Sequence, residues 1–237
     1  MRNRRAFTLV EMLVVVAIMI AVLAILVPAL DQALAVTEVA HCQSNMRQIM
    51  YASIQYAATN RQSLPQPNWL SIENGGADDW TGAGWLYKWN NRGQLEHNKT
   101  GALWPYMNDL DVYHCIAHPK PWGDGGRTTE AQTSYVMNGS VCDYGGRKKE
   151  MRKIQDFKSD DIMFWENDEL GLSWNDGSNQ PKEKITSRHQ KKGTDGAGNV
   201  VMIDGSVEWM SLIDFNYEIT RPGRTRIYNK PYDDDGR

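Results

Sequence analysis

Arg5-Ala6-Phe7-Thr8-Leu9-Val10-Glu11-Met12-Leu13-Val14-Val15-Val16 opens a run that stays almost wholly apolar to Leu30, interrupted early by Thr8 and Glu11. Read as a helix, Phe7 to Leu30 spans roughly 36 Å at about 1.5 Å per residue. That covers a hydrocarbon core of about 30 Å. Arg2, Arg4 and Arg5 precede the run, and no Lys or Arg follows until Arg47. The asymmetry predicts a cytoplasmic N-terminus and a body on the other side of the membrane. Glu11 is the odd residue. A carboxylate is costly in lipid unless paired, so an acid at this depth points to function. A newly freed α-amino group on a neighbouring copy would pair it.

Beyond Pro28 the apolar positions continue at steps of three and four: Leu30, Leu34, Val39, Cys42, Met46, Ile49, Met50, Ile54 and Ala57. They form one stripe, opposite Glu38, Gln43, Arg47 and Gln55. The spacing predicts one helix to about Thr59, ended by the turn formers and prolines of residues 60–67. Its first half is apolar all round and suits lipid. Its second half is amphipathic and suits packing on a sheet.

The run from Arg5 to Glu11 resembles the prepilin cleavage and methylation signal of type IV pilins and type II secretion pseudopilins. The resemblance implies cleavage between Ala6 and Phe7 by a prepilin peptidase, N-methylation of Phe7, and an assembly role for Glu11. Family members usually carry Gly where this chain has Ala6. Pro28 stands where many type IV pilins place a helix-kinking proline. Cys42, Asn45, Met46, Arg47 and Gln48 resemble the Cys-x-x-Asn-Leu-Arg-Gln run of a planctomycete-type subgroup. That subgroup also has a mid-chain Cys-Pro pair, loosely matched by Tyr113-His114-Cys115 with Pro119. Near its end it has a His followed by an Asp-Gly turn, here Arg188-His189 and Asp204-Gly205, with an insertion around Lys191 to Gly198. The implied organisation is a leader (1–6), a transmembrane or filament-core helix (7–30), its amphipathic continuation (31–59) and a β-rich head (60–237).

The expected fold class is α+β, type IV pilin-like: a long N-terminal helix, half protruding and half packed on a small antiparallel sheet with a loop-rich head. Short strands are expected at Ser134 to Met137 and Ile162 to Trp165. The clearest pair is Asn199 to Ile203 and Ser206 to Met210. Asp204-Gly205 joins them as a hairpin turn in which both residues accept positive φ. Turn chemistry thus explains Asp204 and Gly205 without a ligand. Residues 65–130 are rich in glycine and loop formers, and the acidic tail from Asp233 to Arg237 reads as solvated and mobile.

Composition narrows the chemistry. The chain has 26 basic and 29 acidic residues, and three of the basic ones lie within the first six positions. The body is therefore net acidic and has no general attraction for nucleic acid. No G-x-S-x-G, phosphate loop or H-E-x-x-H is present, so nothing points to an enzyme. Cys42, Cys115 and Cys142 form no C-x-x-C pair. An exported body allows a Cys115–Cys142 bridge with Cys42 left over, but spacing determines none of the three pairings, and free buried thiols are the other reading. His114 and His118 are four apart around Cys115. They would share a helical face, but Pro119 and the turn-like context argue against a helix there.

Major pseudopilins of type II secretion often bind calcium in a head loop; by that resemblance calcium is a candidate ion here, with Glu166, Asp168, Glu169 and Asp176 as candidate oxygen ligands. They lack the spaced D-x-D-x-D-G pattern, so solvated loop acids fit the same run. No cofactor is certain.

The expected function is a structural subunit of a type IV pilus-like or pseudopilus filament. Its partners are other pilin copies, the prepilin peptidase and the inner-membrane assembly platform. The protein would be single-pass in the inner membrane with a periplasmic head, then part of a filament. The nine tryptophans support an alternative, a pilin-anchored carbohydrate- or surface-binding module, if several stack on one exposed face. A further competitor is a secretory signal peptide, with Met12 to Leu26 as its core and cleavage after Ala33-Leu34-Ala35 before Val36. Glu11 at the start of that core, and helical periodicity continuing past Ala35, weigh against it.

Overall fold

A computed structural model of the protein describes residues 7–68, 83–88, 94–118, 132–142, 152–167, 177–189, 196–231 and 234. The chain divides into two compact units, Met1–Glu38 and Val39–Arg237. One helix, α1 (Leu9–Thr59), runs through both, with Pro28 inside it.

In the first unit every α1 residue up to Thr37 is exposed, including Leu9 at 81% and Ile25 at 76%. Among the described residues α1 is the one helix long and apolar enough to cross a membrane.

In the second unit the helical stripe is buried. Cys42, Asn45, Met46, Ile49, Met50, Ser53 and Ala57 all face the core, at the spacing an amphipathic helix requires. α1 ends where expected. Arg61 and Gln62 take left-handed φ values of 54° and 67°, and the Gln62 amide donates to the Ala57 carbonyl at 2.8 Å.

Among the described residues, the core of this unit is a five-stranded sheet, β1 (Tyr135–Asn138), β2 (Ile162–Glu166), β3 (Ser178–Asn179), β4 (Ala197–Met202) and β5 (Val207–Ser211). Their spatial order is β3-β1-β2-β4-β5. All neighbours are antiparallel except β1 and β3. Side chains of a strand alternate between faces, and here they separate two cores. Met137, Phe164 and Val201 lie with Met46 and Ile49 of α1. Val136, Trp165 and Val200 lie with Phe215 and Ile227 on the opposite face. That second face is covered by α2 (Leu212–Thr220) and the segment after it. Ser211 caps α2 by accepting from the Asp214 amide, and Asn138 and Asn229 tie the later segment to the Ile162 carbonyl.

Both faces of the sheet are thus occupied, which explains why β2 and β4 are buried throughout and do not alternate in polarity. The strands expected near 134–137, 162–165, 199–203 and 206–210 are all present. The turn between β4 and β5 differs in one respect. Only Gly205 has positive φ, at 85°. Asp204 accepts from the Ser206 amide and hydroxyl through Oδ1, so its side chain closes the turn while its backbone stays on the ordinary side.

Candidate functional site

The start of α1 is built from local chemistry. Glu11 Oε2 accepts from both the backbone N–H and the hydroxyl of Thr8, each at 2.8 Å, while the Glu11 amide donates to Thr8 Oγ1 at 3.2 Å. Thr8 and Glu11 therefore form a capping box, in which residues three apart satisfy each other's backbone donors. In the sequence Thr8 reads only as an interruption of the apolar run; the three-residue spacing to Glu11 was the signal that could have shown the box. Phe7, at 73% exposure, precedes the box, and Ala6 lies outside the described residues.

A second site lies in the interior of the unit Val39–Arg237. Cys42 projects from the buried stripe of α1. Cys115 follows a short 3-10 turn, Asp111–Tyr113. Asn45, one helical turn after Cys42, donates to the carbonyls of Asp111 and His114 at 3.3 and 3.0 Å and holds that turn against the helix. Glu166 is the last residue of β2. Two positions after Phe164, it points to the same face of the sheet as that residue. Asn199, two positions before Val201 on β4, stands on the same face. Its amide and side-chain nitrogen donate to Glu166 Oε2 at 2.7 and 3.0 Å. Gln43 of α1 donates to Asn199 Oδ1 at 3.0 Å. His189 is fixed by its backbone, donating to Ala197 O and accepting from Trp209 Nε1.

The four side chains converge. The ligand-capable atoms of Cys42, Cys115, Glu166 and His189 lie within 4.8 Å of one another, and all four residues are buried. His189 Nε2 is 3.3 Å from Cys115 Sγ and 3.0 Å from Glu166 Oε1. Burial alone would hold the His189 imidazole down, but its contacts with Cys115 and Glu166 push it up to about 10. Burial would raise Glu166, yet the hydrogen bond and charge of His189, then Arg188 and the Asn199 amide, leave it below the usual carboxylate range. Burial pushes the Cys115 thiol up, Cys42 and Glu166 add to this, and His189 opposes it. Tyr135, wholly buried, is raised first by burial and then by the proximity of Cys42, Glu166 and Cys115.

This is not a nucleophile relay. A Cys-His-acid triad uses the two imidazole nitrogens separately, one for the nucleophile and one for the carboxylate. Here both partners meet Nε2, behind a closed core. The donor set of two sulfurs, an imidazole and a carboxylate is instead that of a tetrahedral metal site.

Several sequence expectations are redistributed by this geometry. Cys115 and Cys142 are not bridged. All three cysteines are free, and Cys142 Sγ donates to Gly139 O within its own 3-10 turn at 3.2 Å. Glu166 faces inward to His189 and Asn199, so its oxygens are engaged there and do not face a solvated loop. The other calcium candidates, Asp168, Glu169 and Asp176, lie outside the described residues. His189 meets Glu166, while Asp204 belongs to the hairpin turn. His114 and His118 are on no helix. His118 Nδ1 is 2.7 Å from Ser134 Oγ. Of the tryptophans described, Trp85 and Trp165 are completely buried and Trp104 and Trp209 partly so, which supports packing for these four; Trp69, Trp80, Trp89, Trp122 and Trp174 lie outside the described residues.

Residues 1–27 match the prokaryotic N-terminal methylation motif, the signal of type IV pilins and pseudopilins. No curated protein and no solved structure matches the chain.

Proposed function

We propose that the chain is a structural subunit of a type IV pilus-like or type II secretion pseudopilus filament. The observation that carries this reading is the methylation motif at residues 1–27 running directly into a helix whose apolar residues stay exposed through Val36. Such a surface is stable only in lipid or against other apolar helices. A prepilin peptidase cuts between Ala6 and Phe7 on the cytoplasmic face and methylates Phe7. The inner-membrane platform then extracts the subunit, and α1 leaves lipid for a bundle of equivalent helices, with the head on the periplasmic side. Both Thr8 bonds to Glu11 use Oε2, so Oε1 can take the amino group of a neighbouring Phe7. The role is structural, with no catalysis and no nucleic acid.

The mass and N-terminal sequence of the mature protein from its native host test the reading. A chain starting at N-methylated Phe7 supports it, and a chain starting at Val36 replaces it with a signal peptide. A second comparison separates the two roles of Glu11. Thr8→Ala, which removes half of the capping box, should still give filaments. Glu11→Ala, which removes the intersubunit partner as well, should not. Normal filaments from Glu11→Ala would end the assembly role.

A further inference from the structure

We propose that Cys42, Cys115, Glu166 and His189 bind one divalent transition-metal ion of the zinc class, in a closed site that fastens α1 to the head. The inference does not depend on the filament reading.

Four observations converge on it. The first is the donor set. Two sulfurs, one imidazole nitrogen and one carboxylate oxygen are the ligands zinc takes, and four is its usual number in structural sites. Calcium is a poor fit, because it takes about six to eight oxygens and the cluster offers a single carboxylate.

The second is size. With metal–ligand bonds of about 2.0–2.3 Å, a tetrahedral zinc site has ligand–ligand edges of about 3.3–3.8 Å. The cluster has edges of 3.3 Å from Cys115 Sγ to His189 Nε2 and 3.0 Å from His189 Nε2 to Glu166 Oε1. No pair of ligand atoms is more than 4.8 Å apart. Small side-chain shifts that open the shortest edge and close the longest ones about a common centre give the site.

The third is the convergence on one atom. One imidazole nitrogen is approached by both a sulfur and a carboxylate oxygen, and a single N–H can lie along only one of these two directions. A cation at the centre meets all four donors at once.

The fourth is the surrounding shell. Ligating carboxylates and imidazoles are oriented by outer hydrogen bonds. Here Asn199 holds Glu166 Oε2 through two donors and leaves Oε1 facing the centre, and Gln43 holds Asn199 in turn. Asn45 fixes the Cys115 turn on the helix that carries Cys42.

Burial makes the site structural. Cys42, Cys115 and Glu166 have no exposed surface and His189 has 3%, so no position is open to substrate. The ligands come from a helix, a turn, a strand end and a loop that are remote in sequence. Metal binding therefore closes several long loops at once and becomes part of the folding free energy.

The experiment uses the full chain, purified in detergent under reducing conditions, stripped with a chelator and then given Zn2+ or Co2+. The expected result is about one ion per chain, as in a closed four-ligand site, with thiolate-to-cobalt charge-transfer bands in the Co2+ form. Cys42→Ser, Cys115→Ser and His189→Ala should each lose the charge-transfer signature or the stoichiometry. Cys142→Ser, whose thiol lies outside the cluster, should keep both. Asn199→Ala should keep the stoichiometry at saturating metal but bind about 10–100-fold more weakly. If the wild-type chain and Cys142→Ser bind no metal in the reduced state, the proposal fails whatever the other variants do. It fails equally if protein from the native host is lighter by two hydrogens and yields a Cys42–Cys115 disulfide peptide.

Discussion

The two halves of α1 are one continuous helix with opposite relations to their surroundings. From Leu9 to Val36 the apolar side chains are exposed in every direction. From Cys42 to Ala57 a single stripe is buried and the other face is polar. Apolar residues alone do not make a core. All-round apolarity needs an apolar solvent or other chains, whereas apolarity at steps of three and four needs only one partner surface. The sheet supplies that surface to the second half, whereas the apolar side chains of the first half are exposed. This difference explains how one helix can serve as anchor and as head scaffold.

The most severe way to probe the contrast is to make the same change in both halves. Ile49 is completely buried and Ile18 is 59% exposed. Ile49→Ala should cost the head about 2–5 kcal/mol, the usual price of a large-to-small change in a packed core. Ile18→Ala should leave the head's denaturation midpoint unchanged in detergent. Equal shifts in the two variants would mean that the head depends on the anchor half for its stability.

The contact between α1 and the β4–β5 turn should respond next most strongly. A Cβ on Gly205 would come within 2.6 Å of the Tyr51 ring, and the residue has a φ of 85°. Gly205→Ala should destabilise the head by about 1–3 kcal/mol, read by denaturant unfolding. Adding Tyr51→Ala should recover the steric part and leave the backbone part. Full recovery in the double variant would show that the positive φ costs nothing here.

Polar burial also separates the head from the anchor, and His118 gives it a pH signature. Burial, then the Arg188 and His114 charges, hold its imidazole down to about 3. The unfolded histidine takes up its proton near 6.5. As pH falls, the unfolded state binds the proton first. The stability due to neutral His118 is complete above about 6.5 and is lost between there and about 3. The limiting slope is about 1.4 kcal/mol per pH unit. Unfolding free energies of wild type and His118→Gln, measured from pH 7 to pH 5, should diverge in that sense. Parallel profiles would show that His118 is protonated in the fold or exchanges freely with solvent.

What could be read from the sequence follows the range of the interactions. The extent of α1, the β4–β5 hairpin and the strands at β1 and β2 are written in local periodicity and turn residues, and all were legible. β3 was not, because two residues carry no period and its parallel pairing with β1 depends on where a distant segment lies. The buried cluster was missed for the same reason. In the sequence the members fall into separate local patterns: Cys115 as a possible partner of Cys142 with Cys42 left over, Glu166 among the acids after it, and His189 in a motif with the Asp204-Gly205 turn. The fold pairs them by strand register and helix face, since Glu166 and Asn199 are on the same side as Phe164 and Val201 and α1 brings Cys42 to that side. Cys-x-x-Asn at 42–45 was the usable signal. One helical turn separates those residues, so whatever Asn45 binds must lie beside Cys42.

The two ends of α1 sharpen the comparison at the smallest scale. Its start is closed by Thr8 and Glu11, residues of the same turn. Its end is closed by the head. After the left-handed pair Arg61 and Gln62, Leu64 N donates to Arg152 O and Ile154 N donates to Gln62 O, so the chain must leave the helix at that angle to pair with the 152–154 segment. Arg61 pays for the left-handed conformation with a Cβ clash of about 1–2 kcal/mol. Glycine would remove this cost but add about 0.5–1 kcal/mol of unfolded-state freedom. Arg61→Gly should therefore stabilise the head by about 0.5 kcal/mol, and Arg61→Val, β-branched at φ 54°, should destabilise it. The pair of measured midpoints should straddle wild type. If both variants fall below it, the Arg61 side chain contributes contacts that outweigh its backbone strain, and tertiary packing rather than local conformation sets the exit of the helix.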